Sequence, residues 1–343
     1  MSFKINNRRY TGSKHKITGW INEILDVECH DCSSFCDLFA GTGVVTDSVI
    51  NKYESFFIND FLYSNEIMYK AFYLKQNFDF SKVMKFYQKY KVLNADVLED
   101  NYVSINFGGK YFELGDAKII GYIREDLEQN RHVLNEREFC ILLTSLLYSL
   151  DRCANTVGHY EAYFKNGNLR RSFIYELITP VIKDESDSRE IVITRMDSNL
   201  LAKTLKADIV YIDPPYSSRQ YSRFYHVLET IVKWDKPKLF GTALKPEPEN
   251  LSDYCCSKAI DAFNELIIDL NCKYIVVSYN NTYNSKSSSS RNKMELEDIL
   301  AVLKQKGLTK TFAIEHQAFN AGKTDLSNHK ELLFVTKVGV FDE

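Results

Sequence analysis

The sequence predicts an α/β protein: an open sheet built from βαβ units, its chain interrupted by a long, mostly helical insertion. Three observations carry this. Short apolar runs alternate with helical patterns, as βαβ units require. The first run, at 35–39, is followed by the tight turn Ala40-Gly41-Thr42-Gly43. A later run, at 207–212, ends in Asp213-Pro214-Pro215-Tyr216, far beyond where a plain sheet would place it.

Residues 18–26 read as a helix with Ile21, Ile24 and Leu25 on one face. A strand at 35–39 leads through the glycine turn into a helix over 44–50. A second strand, 55–58, ends at Asn59-Asp60. Glycines after one strand and an acid after the next, about 20 residues on, are what a nucleoside site needs. The glycines let a ligand approach the backbone, and the acid can hold two ribose hydroxyls. The pattern is not GxGxxG, which argues against a dinucleotide. Further strands are expected at 191–194, ending near Asp197, at 207–212, and at 274–278, ending in the polar turn Tyr279-Asn280-Asn281. Segments 311–314 and 332–335 read as closing strands, an antiparallel hairpin. Between Asp37 and Asp213 a sheet needs only a few βα units of roughly 30 residues each, which leaves about 80 to 120 residues surplus. The surplus, 61–187, is mostly helical, with amphipathic stretches at 117–129 and 136–151. It is read as an inserted domain.

Asp213-Pro214-Pro215-Tyr216 is the most informative element. Ligands of open α/β sheets bind at the carboxyl ends of strands. Two prolines fix φ and lack N–H groups, so the carbonyls there stay available. The carboxylate and the Pro214 carbonyl can each accept one N–H of an exocyclic amine, while Tyr216 stacks on its flat ring. The plainer reading is a strand-ending turn.

Bulk properties exclude several classes. With 343 residues, 45% hydrophobic and 26% charged, the chain is an ordinary globular one. A net charge of -3 carries no global basic signal, so nucleic-acid contact must come from local patches. Eight cysteines do not make a disulfide scaffold. Cys29-x-x-Cys32 near Cys36 has no second pair to complete a zinc site, so no metal is expected. The absence of a signal-peptide core and of long apolar runs points to a cytosolic protein with no membrane partner.

The elements Tyr10-Thr11-Gly12-Ser13-Lys14, Asp37-Leu38-Phe39-Ala40-Gly41-Thr42-Gly43, the long insertion and Asp213-Pro214-Pro215-Tyr216 occur in that order. In this the chain resembles the Dam-like (alpha-group, D12 class) DNA adenine-N6 methyltransferases, particularly those of restriction-modification systems. The resemblance covers most of the chain; the insertion matches in position and size only. It implies a Rossmann-like class I methyltransferase sheet. Residues 1–60 and 188–343 would form the catalytic, S-adenosyl-L-methionine-binding domain, and 61–187 the target-recognition domain. Tyr10 and Lys14 would sit against the cofactor. Asp37 would hold its methionine amino group, with Ala40, Gly41 and Gly43 lining it and Asp60 taking the ribose hydroxyls. Asp197 is a weaker match to an acid near the cofactor's adenine. Asp213 would touch both cofactor and target base. Double-stranded DNA is the implied substrate and a cognate restriction endonuclease the implied companion; the oligomeric state is left open. The stretch 217–225 departs from the best-known housekeeping members, so their recognised site does not carry over.

Two segments suit phosphate contact: 165–171 with Lys165, Arg170 and Arg171, and the serine-rich 284–293 with Lys286, Arg291 and Lys293; the loop 219–223, with Arg219 and Tyr221, suits closing over a flipped base or filling the hole it leaves in the duplex. Solvated loops, or for Arg219 and Tyr221 a helix start, are the plainer readings. Gly322-Lys323-Thr324 resembles the end of a phosphate loop, but Gln317 stands where its first glycine belongs. His159 reads as a turn residue, and nothing pairs His316 and His329 into a metal site. Three other functions remain open from the residues: an RNA adenine or guanine methyltransferase, a DNA cytosine-N4 methyltransferase, and a non-catalytic DNA-binding protein with the same fold.

Overall fold

The structure, a computed structural model, describes residues 3–156, 158–165, 172–281, 292–315 and 330–341. Its chain divides into two compact units, one of residues 12–61, 188–221 and 250–343, the other of 1–11, 62–187 and 222–249.

The first unit is built on seven strands among the described residues: β1 (Ser34–Asp37), β2 (Ser55–Asn59), β3 (Glu190–Thr194), β4 (Ile209–Ile212), β5 (Tyr274–Asn280), β6 (Gly307–Glu315) and β7 (Lys330–Val338). They lie in the order β3-β2-β1-β4-β5-β7-β6. β1 to β5 run parallel, and β7 pairs antiparallel with both β5 and β6. This is the Rossmann-like sheet expected, closed by the hairpin expected at its end. β5 runs two residues further than the sequence suggests, because Tyr279 and Asn280 still pair with Leu332 and Glu331 of β7.

All four residues of β4 and all seven of β5 are buried, since helices cover both faces of a central parallel strand. On one face Val210, Ile212, Ile275, Val277 and Phe334 pack with Phe263, Leu266, Ile299 and Leu303 from the helices Ala259–Asp269 and Leu296–Lys304. The helix Thr18–Glu28 buries the predicted Ile21, Ile24 and Leu25 and is tied to the helix Val44–Val49 by Asn22 Nδ2 donating to the Ser48 carbonyl at 3.1 Å. The chain winds outward from β1 to β3, then returns to start β4 on the other side of β1. The β1–β4 boundary is therefore the switch point at which such sheets open a crevice.

The second unit is helical, with helices Tyr63–Tyr73, Phe80–Lys91, Tyr102–Phe107, Leu114–Gln129, Glu136–Cys153 and His226–Lys233. The helix Glu136–Cys153 is its buried spine. A reciprocal cap starts it: Asn135 Oδ1 accepts from the Glu138 N–H, and Glu138 Oε2 from the Asn135 N–H, both at 2.9 Å. Two segments that the sequence reading grouped with the sheet, 1–11 and 222–249, belong here, and buried polar contacts explain why. Arg8 donates to Asn65 Oδ1 and Ser64 Oγ. The Phe3 N–H donates to the Leu177 carbonyl at 2.9 Å. Glu229 accepts from the N–H groups of Tyr63 and Ser64, each at 2.9 Å. Arg124, itself buried, donates to the carbonyls of Ile231 and Val232 at the end of the helix His226–Lys233. There a cation meets unpaired carbonyls and the negative end of the helix dipole.

Candidate active site

The sheet's carboxyl edge is laid out by register. Asp37, the last residue of β1, pairs with Tyr211 of β4, so Asp213 follows two residues beyond. β2 ends one residue before Asp60. Three carboxylates thus arrive at one edge from neighbouring strands.

Asp37 is 1% exposed. Among the described residues its carboxylate accepts from Thr46 alone, from Oγ1 at 2.8 Å and from the N–H at 3.3 Å. Burial, with the negative charges of Asp213 and Asp60 nearby, pushes its pKa up to about 7 against the two Thr46 bonds. A buried anion held this way is matched to a cationic ligand. Six residues, 38–43, join β1 to the helix Val44–Val49, and within them Gly41 and Gly43 turn the chain at φ +53° and +70°. That left-handed region is open to glycine and costs other residues. The Gly41 N–H donates to Asp60 Oδ2 at 2.9 Å and the Ala40 N–H to the Asn59 carbonyl at 2.9 Å, so turn and acid are held as one piece. Asp197 caps the helix Ser198–Ala202, accepting from the N–H groups of Asn199 and Leu200.

At the end of β4, Asp213 Oδ1 accepts from Lys14 Nζ at 2.9 Å and from the Tyr216 hydroxyl. Lys14 Nζ also donates to the Tyr216 oxygen and lies 3.7 Å from Glu331. Burial alone would lower the pKa of Lys14; Asp213 and Glu331 outweigh it and hold the ammonium charged. Burial raises the pKa of Asp213, opposed by Lys14 and Tyr216 and aided by Glu331. The Tyr216 ring meets Tyr279 edge-on, centroids 4.7 Å apart. Residues 292–294 staple the hook and the end of β5. The Lys293 N–H donates to the Tyr216 carbonyl at 2.8 Å, the Met294 N–H to the Tyr279 oxygen at 3.2 Å, and Asn292 Nδ2 to the Asn280 carbonyl at 2.7 Å.

The structure thus brings together Lys14, Asp37, Ala40, Gly41, Gly43, Asp60 and Asp213 to Tyr216 in one unit. Tyr10 belongs to the other unit, where it stacks on Tyr225 at 4.8 Å beside Arg8, and the Thr11 N–H donates to the Tyr225 oxygen. Lys165 is exposed, and Arg219 and Lys293 are half-buried. Tyr221 begins the helix Tyr221–Phe224, as a helix-start reading expects. Arg170, Arg171, Lys286 and Arg291 lie outside the described residues, as do His316, His329 and Gly322 to Thr324. Glu331 was missed by sequence reasoning: an acid opening a late strand carries no motif, and only the β5–β7 register shows where it goes. Among the described residues no cluster of three or more His, Cys, Asp or Glu could hold a metal ion, and no helix is long and apolar enough to cross a membrane.

Comparison with known proteins agrees with this geometry. Residues 10–294 match the family described as D12 class N6 adenine-specific DNA methyltransferase. The chain is 32% identical over 340 residues to the Type II methyltransferase M.FokI of Planomicrobium okeanokoites, covering 94% of this chain and 50% of that protein. It is 32% identical over 287 residues to the modification methylase LlaI of Lactococcus lactis subsp. lactis, covering 80% of this chain and 46% of that protein. It therefore spans about half the length of these two relatives. It is 30% identical over 331 residues to the Type II methyltransferase M.NlaIII of Neisseria lactamica, covering 94% of this chain and 95% of that one. The chain belongs to the D12 class N6 adenine-specific DNA methyltransferases.

Proposed function

We propose that the protein is a site-specific DNA methyltransferase. It transfers a methyl group from S-adenosyl-L-methionine to N6 of an adenine flipped out of double-stranded DNA. The reading rests on one observation above the rest. At the sheet's switch point a buried carboxylate matched to a cation, Asp37, faces the same edge as a carboxylate-proline-proline-tyrosine hook, Asp213 to Tyr216.

The residues fit the cofactor. Asp37 suits its ammonium, the Ala40 to Gly43 turn gives close backbone approach, and Asp60, already fixed to Gly41, suits the ribose hydroxyls. When bound, S-adenosyl-L-methionine supplies an electrophilic methyl group on a sulfonium. The protein's part is to prepare the amine. Adenine N6 is a weak nucleophile because its lone pair is delocalised into the ring. Asp213 and the Pro214 carbonyl accept hydrogen bonds from its two N–H groups, which draws the nitrogen toward tetrahedral geometry and localises its lone pair on nitrogen; as the N–C bond forms the methyl's bond to sulfur would break, and the nitrogen's surplus proton would leave to solvent. Lys14 and Tyr216 both engage Asp213 Oδ1, so Oδ2 is the oxygen offered to the amine. Positioning and preset charges do most of the work. Extruding the base costs a few kcal/mol. Stacking on Tyr216, worth about 1–3 kcal/mol, offsets part of that.

We assign target recognition to the helical unit, 62–187 together with 222–249, and phosphate contact to the basic residues named above, with a cognate restriction endonuclease as the companion activity. The test is expression in cells free of adenine methylation, followed by single-molecule sequencing of the DNA. Modified adenine at one short sequence is expected, and DNA left clean while ribosomal RNA gains a methyl group would overturn the reading.

A further inference from the structure

Glu331 is a buried acid, 6% exposed, that none of the family motifs covers. In the sheet it pairs with Asn280 on β5 and with Ile314 on β6. Directly paired residues share a face, so Glu331 shares one with Asn280, and two positions back along β5 with Ser278. Its Oε2 lies 3.7 Å from Lys14 Nζ, which lies 2.9 Å from Asp213 Oδ1. One buried ammonium therefore serves a buried carboxylate, Glu331, and a partly buried one, Asp213.

The balance matters because Asp213 must be a strong acceptor. A one-to-one ion pair would concentrate the lysine's charge on Asp213 and weaken its hold on an amine hydrogen. A second carboxylate on the same ammonium divides that charge. We propose that Glu331 is a positioning residue for methyl transfer: by sharing Lys14 with Asp213 it preserves the acceptor strength of the Asp213 carboxylate. The inference rests on the reading that Asp213 receives the target amine.

The groups facing Asp213 are Lys14 from the N-terminal segment, the Tyr216 hydroxyl from the hook itself, Tyr211 from β4, Asp37 from β1 and Glu331 from β7. Lys14 and Tyr216 favour its charged form, and Glu331 disfavours it. Replacing Glu331 by glutamine leaves the ammonium to Asp213 alone, so Asp213 gives up its proton at lower pH and becomes the poorer acceptor. A Glu331 that merely filled space would lower activity at every pH and leave that titration in place.

The experiment follows the Asp213 carboxyl carbon by NMR through a pH titration of the protein without DNA, alongside single-turnover methyl transfer to DNA. In Glu331→Gln the Asp213 midpoint moves to lower pH, the acid limb of the rate profile moves the same way, and the rate falls about tenfold, the size of a coupling between neighbouring charged groups. Glu331→Asp keeps the charge and falls between this variant and the parent. An Asp213 midpoint unmoved in folded Glu331→Gln overturns the proposal. If that variant does not fold, the parent protein decides: Glu331 and Asp213 titrating with no effect on each other's chemical shifts overturns it equally. The spectra need no substrate, so a shifted midpoint in a protein that leaves DNA adenine unmodified would sink the functional reading and spare the charge sharing.

Discussion

Asp37→Asn is expected to make the protein more stable and nearly unable to hold its methyl donor. The carboxyl of Asp37 is pushed from its ordinary 3.8 to about 7 in the folded chain, with burial the largest cause. Between those values the folded state keeps a proton that the unfolded chain has released. Stability therefore falls as pH rises, by about 1.4 kcal/mol per unit, and stays low above about pH 7. Over roughly three units this reaches about 4 kcal/mol. Asparagine cannot ionise, so relative to the parent the variant gains up to about 4 kcal/mol near pH 8 and nothing below about pH 4. Binding runs the other way. On the proposed role of Asp37 as the ammonium's partner, the parent's affinity should drop about tenfold for each pH unit below about 7. The variant loses that dependence and binds about a hundredfold more weakly near pH 8. Guanidinium denaturation at both extremes and calorimetric titration with S-adenosyl-L-methionine measure the two effects. A variant no more stable than the parent near pH 8, or a parent affinity flat from about pH 5.5 to 8, refutes the reasoning.

Four further outcomes are expected. Asp213→Ala should cut methyl transfer by more than about a thousandfold while donor binding falls only in part, measured by labelled methyl transfer and calorimetry; near-normal turnover would end the proposed mechanism. Tyr216→Phe removes the hydroxyl that helps hold Asp213 charged. Its rate profile should shift its acid limb to higher pH, the opposite sense to Glu331→Gln, and a shift in the same sense would contradict the charge picture. Gly43→Ala forces a side chain to φ +70° and should cost about 1–2 kcal/mol in denaturation, with weaker donor binding; no cost would mean the turn tolerates another path. Glu229→Gln loses an acceptor for one of two N–H groups at the helix start, one buried and one partly buried, and should destabilise the protein by about 2 kcal/mol with little effect on donor binding; an unchanged denaturation midpoint would show the helix start is otherwise satisfied.

The strands, the glycine turn and the hook were legible because each is local. Apolar runs such as Ile209 to Ile212 announce strands buried on both faces, and Gly41 and Gly43 announce a turn other residues resist. The long gap before Asp213 announced an insertion for the same reason: it is a count along the chain. What stayed hidden depends on which distant segments meet. Glu331 reaches Lys14 only through the pairing of β7 with β5. Tyr216 reads as a stacking ring; that its hydroxyl also donates to Asp213, three residues away, shows only in the fold. Arg8 and Glu229 sit in no motif, and only three-dimensional contacts make them buried polar fasteners. The amides of Lys293 and Met294, which fix the hook from behind, have no side-chain signature at all.

The helical unit is assembled from three stretches of chain, so the polypeptide passes between units at five places: after residues 11, 61, 187, 221 and 249. During synthesis the first eleven residues must wait for their partners. Tyr10 and Thr11 meet Tyr225, which leaves the ribosome more than two hundred residues later. Contacts of such long range slow folding and prolong the exposure of half-made surfaces. The same interleaving constrains evolution and engineering. Neither unit can be lifted out as a contiguous cassette, and transplanting this helical unit onto a related sheet requires three simultaneous grafts. On the proposed assignment of target recognition to the helical unit, change in the recognised sequence is expected to proceed by substitution within the unit, and seldom by its wholesale exchange.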